Sequence, residues 1–155
     1  MDDATFIRLC EEEMAVFYRV AVSILRRQQD AEDAVQQAFM KGWAVRDRAW
    51  RGSEKAWVMR IVINECRNIQ RYRMRVTPVA SVPEAASDSP DITLRIAMDA
   101  LPENLRLPLL LKYMEGMSEK DIAAALRLSL PTVKGRLLRA RKTLQREWHE
   151  EVEWP

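Results

Sequence analysis

"MSEKDIAAALRLSLPTVKGRLLRARKTLQRE", Met117 to Glu147, decides how this chain is read. Ser118 to Asp121 has the spacing of a capping box, although Asp reaches back to the first amide less well than Glu. It opens a short helix carrying Ile122, Ala123 and Leu126, and the tight connection "RLS" separates that helix from a longer one. At about 100° per residue, Val133, Leu137, Ala140, Leu144 and Trp148 form one packing stripe on the longer helix. Lys134, Arg136, Arg139, Lys142 and Arg146 spread around the rest of its surface, and Arg141 flanks the stripe. A basic helix alone reads most simply as a solvated face. The capped helix and short turn before it change that reading to a helix-turn-helix, whose second helix enters the DNA major groove. Pro131 and Thr132, near the start of the second helix, suit a terminus whose N–H groups meet a phosphate.

Upstream, "VTPVASVPEAASDSPD" (Val76 to Asp91) holds three prolines among small and acidic residues and has no helical period, so it reads as a flexible linker. The expectation is therefore an all-α chain of two small helical domains, residues 1–75 and 92–155, joined by residues 76–91. Four glycines in 155 residues, with 48% hydrophobic and 31% charged side chains, fit a helical globular protein. The net charge of +2 hides blocks of opposite sign. Residues 46–75 carry nine basic and three acidic side chains and residues 105–155 carry ten and seven, whereas 1–45 and 76–104 are net acidic. Two basic blocks predict two contacts with a polyanion.

In the first domain the spacing predicts a helix over 3–27, through Phe6, Leu9, Cys10, Val16, Phe17, Val20, Ile24 and Leu25. A second helix starts at Asp30 as N-cap and runs to about Val45, and a third is capped by Ser53 and runs to about Arg75. Ala34, Val35, Ala38 and Gly42 make one small-residue face of the second helix. Asp33, Gln36, Met40 and Trp43 make the other, which reads either as a partner-binding face or as a second core contact. "WRGSEKAWVMRIVINECRNIQRYRMR" interleaves Trp50, Trp57 and Tyr72 with Arg51, Arg60, Arg67, Arg71, Arg73 and Arg75. Such mixing suits single-stranded DNA, whose bases stack while its phosphates track a groove. Trp57, Ile61 and Ile69 are expected in the core, and Trp50, in a loop, is the better candidate for a base contact. In the second domain a helix over 92–100 precedes one through Leu110, Leu111 and Tyr113 that ends near Gly116, with Pro108 inside it to bend it or begin its regular part.

Little points to catalysis. No metal-ligand spacing, phosphate loop or nucleophile motif is present, and His149 lies in the acidic tail "HEEVEWP". The expectation is a protein that is not an enzyme, with no cofactor, metal or small-molecule substrate. Cys10 and Cys66 read as buried thiols. The acidic opening "MDDATFIRLCEEEM" is unlike a signal peptide, and a cytoplasmic location is expected.

"DAEDAVQQAFMKGW", "WVMRIVINECRN" and "LPENLRLPLLLKYMEGMSEKDIAAALRLSLPTVKGRLLRARKTL" resemble, in that order, regions 2.2, 2.3–2.4 and 4 of extracytoplasmic-function sigma factors. The resemblance implies a sigma2-like three-helix unit and a sigma4-like helix-turn-helix unit, acting with core RNA polymerase on promoter DNA. It implies docking of Asp33, Gln36, Met40 and Trp43 on the β′ clamp coiled coil, with the second unit at the β flap. Trp50 and Asn64 would line the pocket for a flipped −10 base, and Arg51, Arg60, Arg67 and Arg71 would hold its backbone. Lys134, Leu138 and Arg139 would face −35 bases. Thr132, Arg136 and Arg141 would bind phosphates or brace the helix. The family also implies an anti-sigma factor as partner. This chain departs from the family at Arg127, where a turn glycine is usual, and at Gly135, which replaces a usual Ser or Thr at a cost of roughly 1 kcal/mol of helix propensity. The loop from Gly52 to Trp57 is also short. A stand-alone helix-turn-helix regulator is the alternative, since the "TVK" segment also resembles LuxR-type domains. A third reading is a protein-interaction module whose basic helices meet an acidic partner.

Overall fold

The computed structural model describes residues 1–76 and 92–148, all of whose regular structure is helical. Of the expected linker over 76–91, Val76 ends a helix and the other residues lie outside the described residues, as does His149. The helices divide into two compact units, α1 to α3 in one and α4, α5, α7 and most of α6 in the other.

In the first unit, α1 (Asp3–Leu25) is capped by Asp2, whose carboxylate accepts the Thr5 N–H at 2.8 Å. That bond holds the Asp2 carboxyl below its ordinary range. The helix stops at Arg26, a left-handed residue with φ 61° whose N–H returns to the Val22 carbonyl. Next, α2 (Gln28–Ala44) starts two residues earlier than the sequence predicts. Arg27 stands at its cap with no side-chain bond, so Asp30 is not the cap. Asp30 is instead taken by Arg73 of α3 (Glu54–Val76), whose Nε and Nη2 both donate to it, while Nη1 donates to the Leu25 carbonyl at 2.9 Å. One guanidinium thus caps the end of α1 and holds both neighbouring helices.

Phe6, Cys10, Phe17 and Val20 from α1, Ala31, Ala34, Val35 and Ala38 from α2, and Trp57, Met59, Val62 and Cys66 from α3 form the first core. Burial pushes the Cys10 thiol up to about 11 from an ordinary 9.0. The small-residue face of α2 brings the backbones close: a Cβ on Gly42 would lie 3.2 Å from the Phe6 ring. Trp57 is buried as expected, whereas Ile61 and Ile69 are only half-buried.

In the second unit, α4 (Ile92–Asp99) leads to α5 (Glu103–Leu109). Pro108 does not end α5; the chain continues at Leu110–Met114 as a wider π-type turn, in which the Glu115 N–H reaches the Leu110 carbonyl at 3.2 Å. Gly116, with φ 66°, closes it. Ser118 caps α6 (Glu119–Leu126) by accepting the Asp121 N–H at 3.1 Å, which is the first half of the capping box. Arg127 then takes φ 57°, a left-handed conformation that a glycine adopts without strain. Finally α7 (Leu130–Trp148) packs on α5 through Val133, Leu137, Ala140 and Leu144, each no more than 1% exposed.

Candidate nucleic-acid interface

With that stripe buried, α7 turns Lys134, Gly135, Leu138, Arg139, Lys142 and Arg146 outward, all exposed. Arg136 and Arg141, on either flank of the stripe, are half-buried. Arg141 is held in place: its Nη1 donates to the Tyr113 hydroxyl, and its guanidinium lies 5.8 Å from the centre of the Tyr113 ring. The π-type turn that carries Tyr113 thus reaches α7. Nothing in the sequence marks that pairing, because the widened turn sets where Tyr113 points.

The start of α7 corrects one expectation. Ser129 is its cap and accepts the Thr132 N–H at 3.3 Å, and the two hydroxyls are 2.8 Å apart. Pro131 has no N–H to offer. Of the first three positions of α7, the cap therefore takes the Thr132 N–H and Pro131 offers none, which leaves the Leu130 N–H outside this cap.

On α3, Arg60, Asn64, Arg67 and Arg71 lie on one face, away from the buried Val62 and Cys66. Asn64 and Arg71 are exposed, and Arg60 and Arg67 half-buried. From Arg60 to Arg71 this face runs roughly 16 Å at 1.5 Å per residue. Its members are tethered to one another's neighbours: Arg67 donates to Gln70 at 3.1 Å, and Arg71 to Asn68. Asn68 and Arg75, both exposed, extend the same face. Helical arithmetic could have added them, and it could have removed Arg73, which falls on the core side with Val62 and Cys66. At the start of α3 a tight turn presents half-buried Trp50 and exposed Arg51. The Trp50 carbonyl accepts the Ser53 N–H at 3.0 Å, and Gly52 supplies φ 82°.

On α2, Asp33, Gln36, Met40 and Trp43 are exposed, opposite the small-residue face. Met40 is 67% exposed and Trp43 37%. Trp43 is oriented from two sides: the Phe6 ring meets it edge-on at 5.7 Å, and the Arg46 guanidinium lies 3.9 Å above its ring. Arg46 is fixed in turn by Asp3 at 2.6 Å and by the Trp43 carbonyl at 2.6 Å. Among the described residues no group of acids, histidines or cysteines could hold a metal ion, and no helix is long and apolar enough to cross a membrane.

A model of sigma-70 region 2 matches residues 9–76, and a model of sigma-70 region 4 matches residues 93–144. The chain belongs to the sigma-70 family, in its extracytoplasmic-function group. Among its relatives, RNA polymerase sigma-H factor of Pseudomonas aeruginosa is 30% identical over 141 residues, covering 76% of this chain and 72% of that protein. The sigma-E factor of Escherichia coli K12 is 28% identical, covering 74% and 72%. Mycolicibacterium smegmatis SigE is 29% identical over 83% of this chain but 55% of its own length. Among solved structures, the sigma factor RpoE in complex with the anti-sigma factor NepR from Bartonella quintana aligns with a TM-score of 0.75 at 29% identity, over 96% of this chain and 99% of that one. This sigma factor acts with core RNA polymerase to direct transcription from promoter DNA, and the stand-alone regulator is not favoured.

Proposed function

We propose that this sigma factor divides promoter recognition between its two cationic helices, α3 and α7, and docks on core polymerase through α2. The observation that carries this is the outward face of α7, where Lys134, Leu138 and Arg139 are exposed opposite a fully buried stripe. These three read −35 bases in the major groove, Thr132 and Arg136 contact phosphates, and Arg141 braces the helix through Tyr113. In the first domain, residues 1–75, Trp50 and Asn64 receive a flipped −10 base while Arg51, Arg60, Arg67 and Arg71 hold the strand. Extruding that base costs a few kcal/mol, which stacking and edge hydrogen bonds offset. Asp33, Gln36, Met40 and Trp43 dock on the β′ clamp coiled coil, and residues 92–155 sit at the β flap. Residues 76–91 tether the two domains. One aligned structure is of a sigma factor in complex with the anti-sigma factor NepR, which supports an anti-sigma partner here. The chain is a cytoplasmic DNA-binding factor without catalytic activity of its own.

Run-off transcription with bacterial core polymerase tests this reading on a library of promoters randomised at both elements. Enrichment of paired −35 and −10 sequences is expected. No product from any template, with no binding to core, would overturn it.

A further inference from the structure

The outward face of α7 is not uniformly cationic. At its centre, opposite the buried stripe, stands Gly135, with exposed Pro131 one turn before it and Leu138, 51% exposed, one turn after. A Cβ on Gly135 would meet nothing within 4 Å, and its φ is not positive, so neither packing nor backbone conformation requires glycine there. Glycine also disfavours the helix that carries it. The result is a notch with no side chain at its floor and apolar walls at both ends. It is bordered by the exposed cations Lys134, Arg139 and Lys142, whose positive charge draws the duplex toward it.

We propose that this notch receives the 5-methyl group of a thymine in the −35 duplex, making Gly135 a specificity-determining residue. The inference rests on the reading of α7 as the −35 helix and adds what its centre reads. The major-groove edge of a base pair carries an apolar group only at the thymine methyl. A missing Cβ lets that methyl approach the helix closely, where Leu138 and Pro131 cover it. Lys134 and Arg139 read the neighbouring base edges by hydrogen bonds, and the notch adds an apolar contact that those cations cannot make.

The test uses the full chain with core polymerase and the −35 sequence enriched from the randomised library, with each thymine replaced singly by deoxyuridine, which lacks only the methyl. For the wild type, one replacement is expected to weaken open-complex formation about fourfold, the equivalent of one buried methyl. Gly135→Ala should raise the melting temperature of the free protein by a few degrees. It should also bind the thymine promoter several-fold more weakly and no longer distinguish deoxyuridine at that position. Uniform tolerance of every deoxyuridine replacement, or a Gly135→Ala variant that binds as tightly and keeps the discrimination, would overturn the inference and leave the −35 reading in place. Failure to enrich any −35 sequence while core binding persists would overturn that reading and the inference with it.

Discussion

α3 and α7 look alike as sequence, both long, amphipathic and rich in arginine, yet they use their cations differently. On α3, Arg73 turns inward to cap α1 and bind Asp30, and Arg67 and Arg71 bond to neighbouring amides of the same helix. On α7, Lys134, Arg139, Lys142 and Arg146 are exposed, whereas Arg141 is held by another element, through Tyr113. The difference follows from what each helix must close. α3 runs past the end of α1, whose last carbonyls need donors, whereas α7 has its apolar stripe satisfied by α5 and is left with a solvated face. Positive charge on a helix therefore does not by itself mark a ligand surface.

The largest expected effect tests this contrast directly. Arg73→Ala should destabilise the first unit by about 2 kcal/mol, because it strands both Asp30 and a helix-end carbonyl. Arg139→Ala on α7 should change stability by less than about 0.5 kcal/mol. Urea melts of both variants decide it, and equal costs would break the contrast.

Trp43→Ala should weaken core-polymerase affinity by about 2 kcal/mol, the loss typical of an aromatic anchor. Part of the change would appear in thermal stability, since Phe6 and Arg46 both pack on the ring. Unchanged affinity in a pull-down titration would remove α2 from the docking surface.

Lys134→Ala with Arg139→Ala should leave core binding intact and weaken −35 sequence discrimination, with little change in the salt slope of duplex binding, because both side chains meet bases. A slope lowered by about 1.8 units with discrimination kept would assign them to phosphates instead. Binding isotherms across a salt series separate the two.

The smallest effect concerns Cys10. Its folded thiol titrates near 11 and its unfolded one near 9.0, so folding holds the proton longer. Stability from this group is full below pH 9 and declines as pH rises toward 11. Cys10→Ser should flatten that alkaline decline in a pH series of urea melts. A decline of the same steepness would assign it to other groups.

Much of the architecture was legible in local pattern. The period of Val133, Leu137, Ala140 and Leu144 named the buried stripe of α7, and Ala34, Val35, Ala38 and Gly42 named the close-packed face of α2. The start of α2 was misread because Asp30 has a good capping side chain, and only the arrival of Arg73 from 43 positions away shows why it is used otherwise. The phosphate role suggested for the first amides of α7 is narrowed for a local reason that could have been foreseen: Ser129 already caps Thr132, and Pro131 lacks a donor.

The sequence by itself determined which residues are helical, which face of each helix is apolar and where the two charged blocks fall, because helical period and capping act over a few neighbouring residues. Tertiary structure alone decided which arginines stay in solvent, how Tyr113 meets Arg141 and how Phe6 and Arg46 orient Trp43. Those outcomes depend on which backbone carbonyls and rings are brought within a few ångströms by packing, a property no run of neighbouring residues contains.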